Sequence, residues 1–324
     1  MPSPIPHQAL GLAAAGQVAQ AIALLQRGCA QGDVDALFTL ATWHLAGHGV
    51  ARDLAQARAL LRRAVQIGHV DAALMEAALT ANGSGGTADW PGARALLAEA
   101  ARGDPLARDH LTLLDAMALD EQGMPRRPAV SNALTNAWPV IHFPAFLTAA
   151  ECHHLIAEGE PMLEPAMIVD PATGARRPHP IRASDNAAFG PARETLVVQA
   201  INRRIAQASA TQVAQGEPLT LLRYRERQEY RLHHDCLPEA GNQRVWTMIL
   251  YLNEGYLGGE TLFPRLGLSV RAHKGDALLF RNVLDDGRPA DLAMHQGKPV
   301  ERGQKWICTR WIRAGDHDPW TAGG

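Results

Sequence analysis

The 324 residues carry 31 basic and 33 acidic side chains for a net charge of −2, with 47% hydrophobic and 20% charged residues, the profile of a globular chain long enough for two domains. Residues 1–120 hold 8 Arg and 11 acidic residues, so neither half is a polycation, and nucleic-acid binding through bulk phosphate neutralisation is excluded. Cys29, Cys152, Cys236 and Cys308 form no CxxC pair, which argues for reduced thiols rather than disulfides or structural zinc. With no basic residue before Arg27 and no apolar run of about 18 residues, the expectation is a cytoplasmic protein without signal peptide or membrane span.

The first third repeats itself at an offset of 36. AQARALLRRA at 55–64 aligns with PGARALLAEA at 91–100, and GDVDAL at 32–37 with GHVDAA at 68–73. Leu24 and Leu25 stand one period before Leu60 and Leu61, while Asp53 and Asp89 hold one position after the glycine-rich stretches LAGHGVARD and NGSGGTAD. A fixed period of this length predicts stacked helical hairpins over 1–120. These residues resemble Sel-one-like repeats, relatives of the tetratricopeptide repeat. Two uses of such a layer stay open at this point: a concave surface for a protein or peptide, or a brace for the neighbouring domain. His44, His48 and His69 read as ordinary turn and surface residues.

The stretch EQGMPRRPAVSNALTNAWP is proline-bearing and aperiodic, so a linker is placed at 121–137, a second domain at 138–315 and a tail at 316–324. PVIHFPAF reads as a strand, Thr148 with Glu151 as a capping box opening a helix, and 192–210 as a second helix with Leu196, Val197, Ala200, Ile201 and Ile205 on one face. IVDPATGARRPHPIRASDNAAFG has no period and reads as a long loop. Beyond about 218, LTLLRY, EYRLHHD, VWTMILYLN, ETLFPR, DALLFRN and KWICTRWIR alternate between Gly, Pro and Asn clusters, the spacing of a β-barrel or jelly roll. The expected fold is an α+β multidomain chain, a helical repeat layer followed by a double-stranded β-helix with supporting helices.

In EYRLHHD, His233 and Asp235 are two apart, which on a strand puts both side chains on one face. His295, in DLAMHQGKPV, is the candidate third leg. Two imidazoles and one carboxylate leave the far side of a metal open, as in non-haem Fe(II) oxygenases. His-x-Asp alone recurs by chance, and in a chain with 14 His a structural His–Asp pair is the simpler reading. Lys305 changes the balance. Only Lys274, Lys298 and Lys305 of the 31 basic residues are lysines, and Lys305 shares a strand face with Ile307, Thr309 and Trp311. A lysine pointing into a barrel needs an anion.

From about 138 to 313 the chain resembles the catalytic domain of the prolyl 4-hydroxylases, Fe(II)- and 2-oxoglutarate-dependent dioxygenases, through YRERQEYRLHHD, RVWTMILYLNEGYLGGETLFP, KGDALLF and DDGRPADLAMHQGKPVERGQKWICTRWIR. The resemblance implies that His233, Asp235 and His295 bind iron, that Lys305 pairs with the distal carboxylate of 2-oxoglutarate, and that Tyr230 and Thr261 help hold it. It places Arg244, Trp311 and Arg182 on the substrate side, Arg182 in a segment, Arg182-Ala183-Ser184, like the family's Arg-Thr-Ser lid. The implied cofactors are Fe(II), 2-oxoglutarate and O2, with ascorbate as auxiliary reductant. Two features depart from the family. Arg227 precedes Gln228 where the family has glycine, and Tyr230, three before His233, faces away on an ideal strand unless a bulge turns it. The implied activity is hydroxylation of a peptidyl residue, proline first, on a substrate recruited by the repeats. The alternatives are the same chemistry on a free amino acid or small metabolite, or a repeat-based adaptor with an inactive barrel. No nucleic acid or membrane partner is expected. Thr247 reads as a core hydrogen-bonding residue without an assigned role.

Overall fold

The computed structural model describes residues 3–169, 176–238 and 241–320, and the chain divides into two compact units, 1–124 with 191–200, and 125–190 with 201–324.

The first unit is helical. Its helices are α1 (Pro4–Ala14), α2 (Val18–Ala30), α3 (Val34–Ala46), α4 (Leu54–Gln66), α5 (Val70–Asn82), α6 (Trp90–Ala100) and α7 (Pro105–Ala116). The offset of 36 is visible in their starts: α2, α4 and α6 begin at 18, 54 and 90, and α3 and α5 at 34 and 70. The repeated aspartates are N-caps. Asp53 accepts from Gln56 N at 2.9 Å and Asp89 from Gly92 N at 2.9 Å, caps worth about 1 kcal/mol each. Gly47 and Gly83 close α3 and α5 in the left-handed region, with φ of 70° and 76°, which only glycine adopts without strain. Ala57, Ala64, Ala72, Ala73 and Ala77 are buried, so α4 and α5 approach closely. Between them Arg58 forks onto Glu76, 2.8 Å away, with both side chains buried. Segment 191–200 belongs to this unit, tied by Asn82 Nδ2 donating to Pro191 O and Gln199 Nε2 to Ala78 O, each at 2.9 Å.

The second unit is built on two antiparallel sheets. The larger runs in the order Asn132–Ala133, Val140–Phe143, Ala277–Arg281, Arg244–Tyr251, Lys305–Arg313, Thr220–Tyr224, Asp185–Ala188, Glu164–Pro165. The smaller runs Leu268–Val270, Thr261–Phe263, His295–Gly297, Tyr230–His233. Leu222, Tyr251, Phe280 and Ile307 of the larger sheet and Phe263 and Val270 of the smaller form one buried cluster, the shared core of a double-stranded β-helix. The helix Ala149–Gly159 starts at the expected capping box, Thr148 with Glu151. Glu151 also pairs with Arg204 at 2.7 Å, from the helix Leu196–Ser209, which is shorter than the 192–210 read from periodicity.

One expectation is corrected. The segment read as a loop contains strands: Met167–Val169 pairs with Arg176–Pro178, and Asp185–Ala188 joins the larger sheet beside Thr220–Tyr224. Residues 170–175 of it lie outside the described residues. The inward residues of Asp185–Ala188 are Asp185 and Ala187, and Asp185 is anchored by Arg223 at 2.8 Å rather than by apolar contacts. A strand held by an ion pair shows no hydrophobic alternation. Among the described residues, no helix is long and apolar enough to cross a membrane.

Candidate active site

His233 and His295 face each other across paired strands of the smaller sheet, and Asp235 follows two residues after the first. All three are buried, and one potential ligand atom from each lies within 4.8 Å of the others. Their ring orientations are fixed from behind: His233 Nδ1 donates to Arg231 O at 2.8 Å and His295 Nδ1 to Ala293 O at 3.0 Å. A carbonyl only accepts, so the protons sit on Nδ1 and the Nε2 lone pairs turn inward. They meet a carboxylate, with His233 Nε2 3.4 Å from Asp235 Oδ1 and His295 Nε2 3.7 Å from Oδ2.

The charges agree with this arrangement. Burial pushes the His295 pKa down to about 4, leaving it neutral near pH 7. Burial alone would raise the Asp235 carboxyl, but the Thr247 hydroxyl, joined by the two imidazoles once these are protonated at low pH, holds it well below the usual carboxylate range, so it is an anion near pH 7. His233 Nε2 is buried with no hydrogen-bond partner. Lone pairs aimed at a carboxylate without a proton between them repel, and a divalent cation removes the conflict. The donor set fits an Fe(II) site of two histidines and one carboxylate.

The other end of the same cleft, of ≈ 490 Å³, carries Lys305. Its side chain is buried, Nζ donates to Gly259 O at 2.6 Å, and the Tyr251 and Tyr224 rings lie 5.5 and 5.9 Å away. Burial pushes its pKa down to about 8. Gly258 and Gly259 have φ of 71° and 70°, a turn that L side chains resist and that aims the Gly259 carbonyl at the ammonium. Thr261, across the cleft, shares a hydrogen bond with the Tyr251 hydroxyl at 2.8 Å.

Tyr230 reaches the site through an irregularity. His295 lies opposite His233 but Gly297 lies opposite Tyr230, so three steps on one strand match two on the other. The resulting bulge turns Tyr230 to the His233 side, where the rings stack with centroids 3.5 Å apart and planes at 13°. Tyr230 also lines the cleft.

Residues 219–313 match the family model of the 2OG-Fe(II) oxygenase superfamily. Over 187 residues the chain is 35% identical to Prolyl 4-hydroxylase 1 of Arabidopsis thaliana, covering 52% of this chain and 66% of the relative. Over 196 residues it is 32% identical to Probable prolyl 4-hydroxylase 3 of the same plant, covering 53% and 68%. The chain belongs to the 2OG-Fe(II) oxygenase superfamily. It spans about two thirds of the length of the prolyl 4-hydroxylases it matches. The helices of the first unit are similar to a Sel1 repeat protein from Oxalobacter formigenes, at 22% identity and a TM-score of 0.32, covering 36% of this chain and 49% of that one.

The region of this oxygenase that matches the family model contains Tyr230, His233, Asp235, Arg244, Thr261, His295, Lys305 and Trp311, but not Arg182. Arg182 is bridged through its backbone to Tyr230, with its guanidinium 5.7 Å from that ring. Arg231 N donates to Ile181 O at 2.8 Å and Ala183 N to Glu229 O at 2.9 Å, so 181–183 covers the free edge of the Tyr230–His233 strand. Arg244 stacks over the Trp311 ring at 4.1 Å. Its guanidinium is engaged by Glu217 through bonds of 2.6 and 2.7 Å, and Trp311 lines the oxygenase cleft.

Three residues of the oxygenase site escaped the sequence reading in their site role: Tyr224, Tyr251 and Thr247. Their signal was the period of two. Leu222 and Tyr224, Thr247 and Ile249, and Lys305, Ile307, Thr309 and Trp311 all line the cleft from adjacent strands, so the face established by Lys305 extends to its neighbours once the pairing is known.

Proposed function

We propose that this chain is an Fe(II)- and 2-oxoglutarate-dependent dioxygenase that hydroxylates a prolyl residue of a peptide, with succinate and CO2 as co-products. The observation that carries this reading is one cleft with two unmatched ends: inward lone pairs on His233 and His295 around Asp235 at one end, and the buried ammonium of Lys305 at the other. When held by those three ligands, Fe(II) would supply the activation of O2 and of the 2-oxo acid. One oxygen atom of O2 goes to the substrate C–H and the other to succinate as 2-oxoglutarate loses CO2.

The protein's part is binding, orientation and exclusion of water. Lys305 exchanges its bond to Gly259 O for the distal carboxylate of 2-oxoglutarate. Such a buried charge-assisted bond contributes about 1.5–3 kcal/mol. Thr261 and Tyr230 flank that position. Leu222, Ile249 and Ile307 in the cleft wall keep it dry, so that the reactive centre is not discharged on solvent. Trp311, with Arg244 stacked on it, and Arg182 form the substrate side. A free amino acid would need separate partners for its ammonium and carboxylate, and Arg244 is already engaged by Glu217. That favours an extended peptide across the mouth, as does the naming of the relatives as prolyl 4-hydroxylases. The helical repeats would recruit the protein that carries it. The reaction would take place in the cytoplasm with ascorbate as auxiliary reductant.

The test is mass spectrometry with a succinate assay. The enzyme is incubated with Fe(II), 2-oxoglutarate, O2 and ascorbate, and either proline-containing peptides or free proline and other amino acids. Hydroxylated prolyl peptide with stoichiometric succinate is the expected result, and product confined to a free amino acid would overturn the peptide assignment.

A further inference from the structure

Asp235 has two oxygens, and something must decide how they are shared between the metal and the protein. Thr247, from the strand Arg244–Tyr251, donates its hydroxyl to Asp235 Oδ2 at 2.6 Å. The direction is fixed by the next group in line. Asn282 Nδ2 donates to Thr247 Oγ1 at 2.9 Å, and an amide nitrogen has no lone pair to accept with, so the hydroxyl proton is free to point at the carboxylate. Asp235, Thr247 and Asn282 are 5%, 1% and 1% exposed, so no water competes.

Asn282 is itself immobile. Its backbone N donates to Val245 O at 2.9 Å, and its carbonyl accepts from Ala290 N at 3.0 Å and from Cys236 Sγ at 3.4 Å. It therefore ties together the Thr247 strand, the turn leading toward His295 and the residue after Asp235. Its side-chain Oδ1 is buried without a hydrogen-bond partner, an arrangement that costs stability. Flipping the amide would put an acceptor against Thr247, draw the hydroxyl proton away and leave two acceptors facing each other at 2.6 Å. The unsatisfied oxygen accompanies the one orientation that makes Thr247 a donor.

We propose that Thr247 and Asn282 are positioning residues for the metal centre. The relay Asn282 to Thr247 to Asp235 sets the plane of the carboxylate, occupies a lone pair of Oδ2 and leaves Oδ1, beside His233, as the stronger donor to the metal. Outer hydrogen bonds of this kind are worth 10- to 100-fold in metal affinity. The proposal rests on the reading of His233, Asp235 and His295 as metal ligands.

The experiment titrates the metal-free full-length chain with Co(II), following affinity and visible ligand-field bands. Wild type is expected to bind one equivalent. Thr247→Val, nearly isosteric but without the hydroxyl, should bind about 10- to 100-fold more weakly with shifted bands, and Thr247→Ser should restore both. Wild-type affinity and spectrum in Thr247→Val, with its fold verified by thermal unfolding, overturn the relay. If Thr247→Val does not fold, Asn282→Leu decides: a shifted spectrum supports the relay and an unchanged one refutes it. Absence of Co(II) binding by wild type, or binding by Asp235→Ala equal to wild type, would instead sink the ligand assignment on which the relay depends.

Discussion

The phenol of Tyr230 lies flat on the imidazole of His233, centroids 3.5 Å apart, although the two residues are three apart on one strand. The bulge opposite His295–Gly297 makes this possible, and it gives Tyr230 two separable functions. The ring buttresses a proposed ligand, and the hydroxyl, its pKa pushed up to about 12 by burial, stays protonated, as its proposed role as a donor toward 2-oxoglutarate requires. Tyr230→Phe should then keep Co(II) affinity within about twofold while raising the apparent 2-oxoglutarate constant several-fold, since one buried neutral hydrogen bond is worth about 0.5–1.5 kcal/mol. Tyr230→Ala should impair both. Equal 2-oxoglutarate constants in Tyr230→Phe and wild type would confine Tyr230 to a packing role.

Removing a proposed ligand should be more drastic. His233→Ala or Asp235→Ala leaves two protein donors for an ion usually held by three, and each should abolish succinate formation and lower bound iron below stoichiometry. Full iron occupancy with a wild-type rate in either variant refutes the assignment.

The proposed role of Lys305 would link cosubstrate binding to pH. Its folded pKa is about 8 against the ordinary 10.5, because burial penalises the ammonium. The charge that Lys305 would offer the distal carboxylate of 2-oxoglutarate is therefore present below about pH 8 and lost above it, so on this proposal the apparent 2-oxoglutarate constant of the wild type should rise through that pH. Stability moves the other way. Between about pH 8 and 10.5 the unfolded chain binds more protons than the folded one, so the contribution of Lys305 to folding becomes more favourable as pH increases. Lys305→Ala should raise the constant at least about tenfold at pH 7, about 1.4 kcal/mol, and flatten its pH dependence. A constant that is unchanged in Lys305→Ala removes Lys305 from the cosubstrate site.

The repeats and the main strands were legible because each leaves a periodic trace. Asp53 and Asp89 recur at 36 because each repeat needs a cap, and Lys305 to Trp311 alternate because one strand face lines the cleft. What the sequence hid depends on contacts between distant segments. Asp185–Ala188 is a strand because Arg223 neutralises Asp185, an anchor with no period of its own. Tyr230 announces its bulge only as a three-residue spacing that does not suit a strand. Thr247 looks like any core threonine until the pairing of Arg244–Tyr251 with its neighbours brings it to Asp235. Segment 191–200 carries no mark that it belongs with the helical unit, because its ties are the amides of Asn82 and Gln199 meeting backbone carbonyls.

Arg227 offers a test of backbone strain just before the site strand. It stands where the resemblance to the family leads to an expected glycine, and its φ is 68°, in the left-handed region that costs a side-chain-bearing residue about 1–2 kcal/mol. The conformation is held by Arg227 N donating to Val300 O at 2.7 Å, Gln228 N to Arg225 O at 3.0 Å and Arg225 N to Gln228 Oε1 at 2.7 Å. None of these bonds needs the Arg227 side chain. Arg227→Gly should relieve the strain, partly offset by about 0.4–1 kcal/mol of extra freedom in the unfolded chain, for a net gain of up to about 1.6 kcal/mol seen as a higher midpoint in urea. Arg227→Val, β-branched at positive φ, should lower the midpoint instead. If Arg227→Gly destabilises the protein, the guanidinium makes a stabilising contact that outweighs the strain, and the strain argument fails.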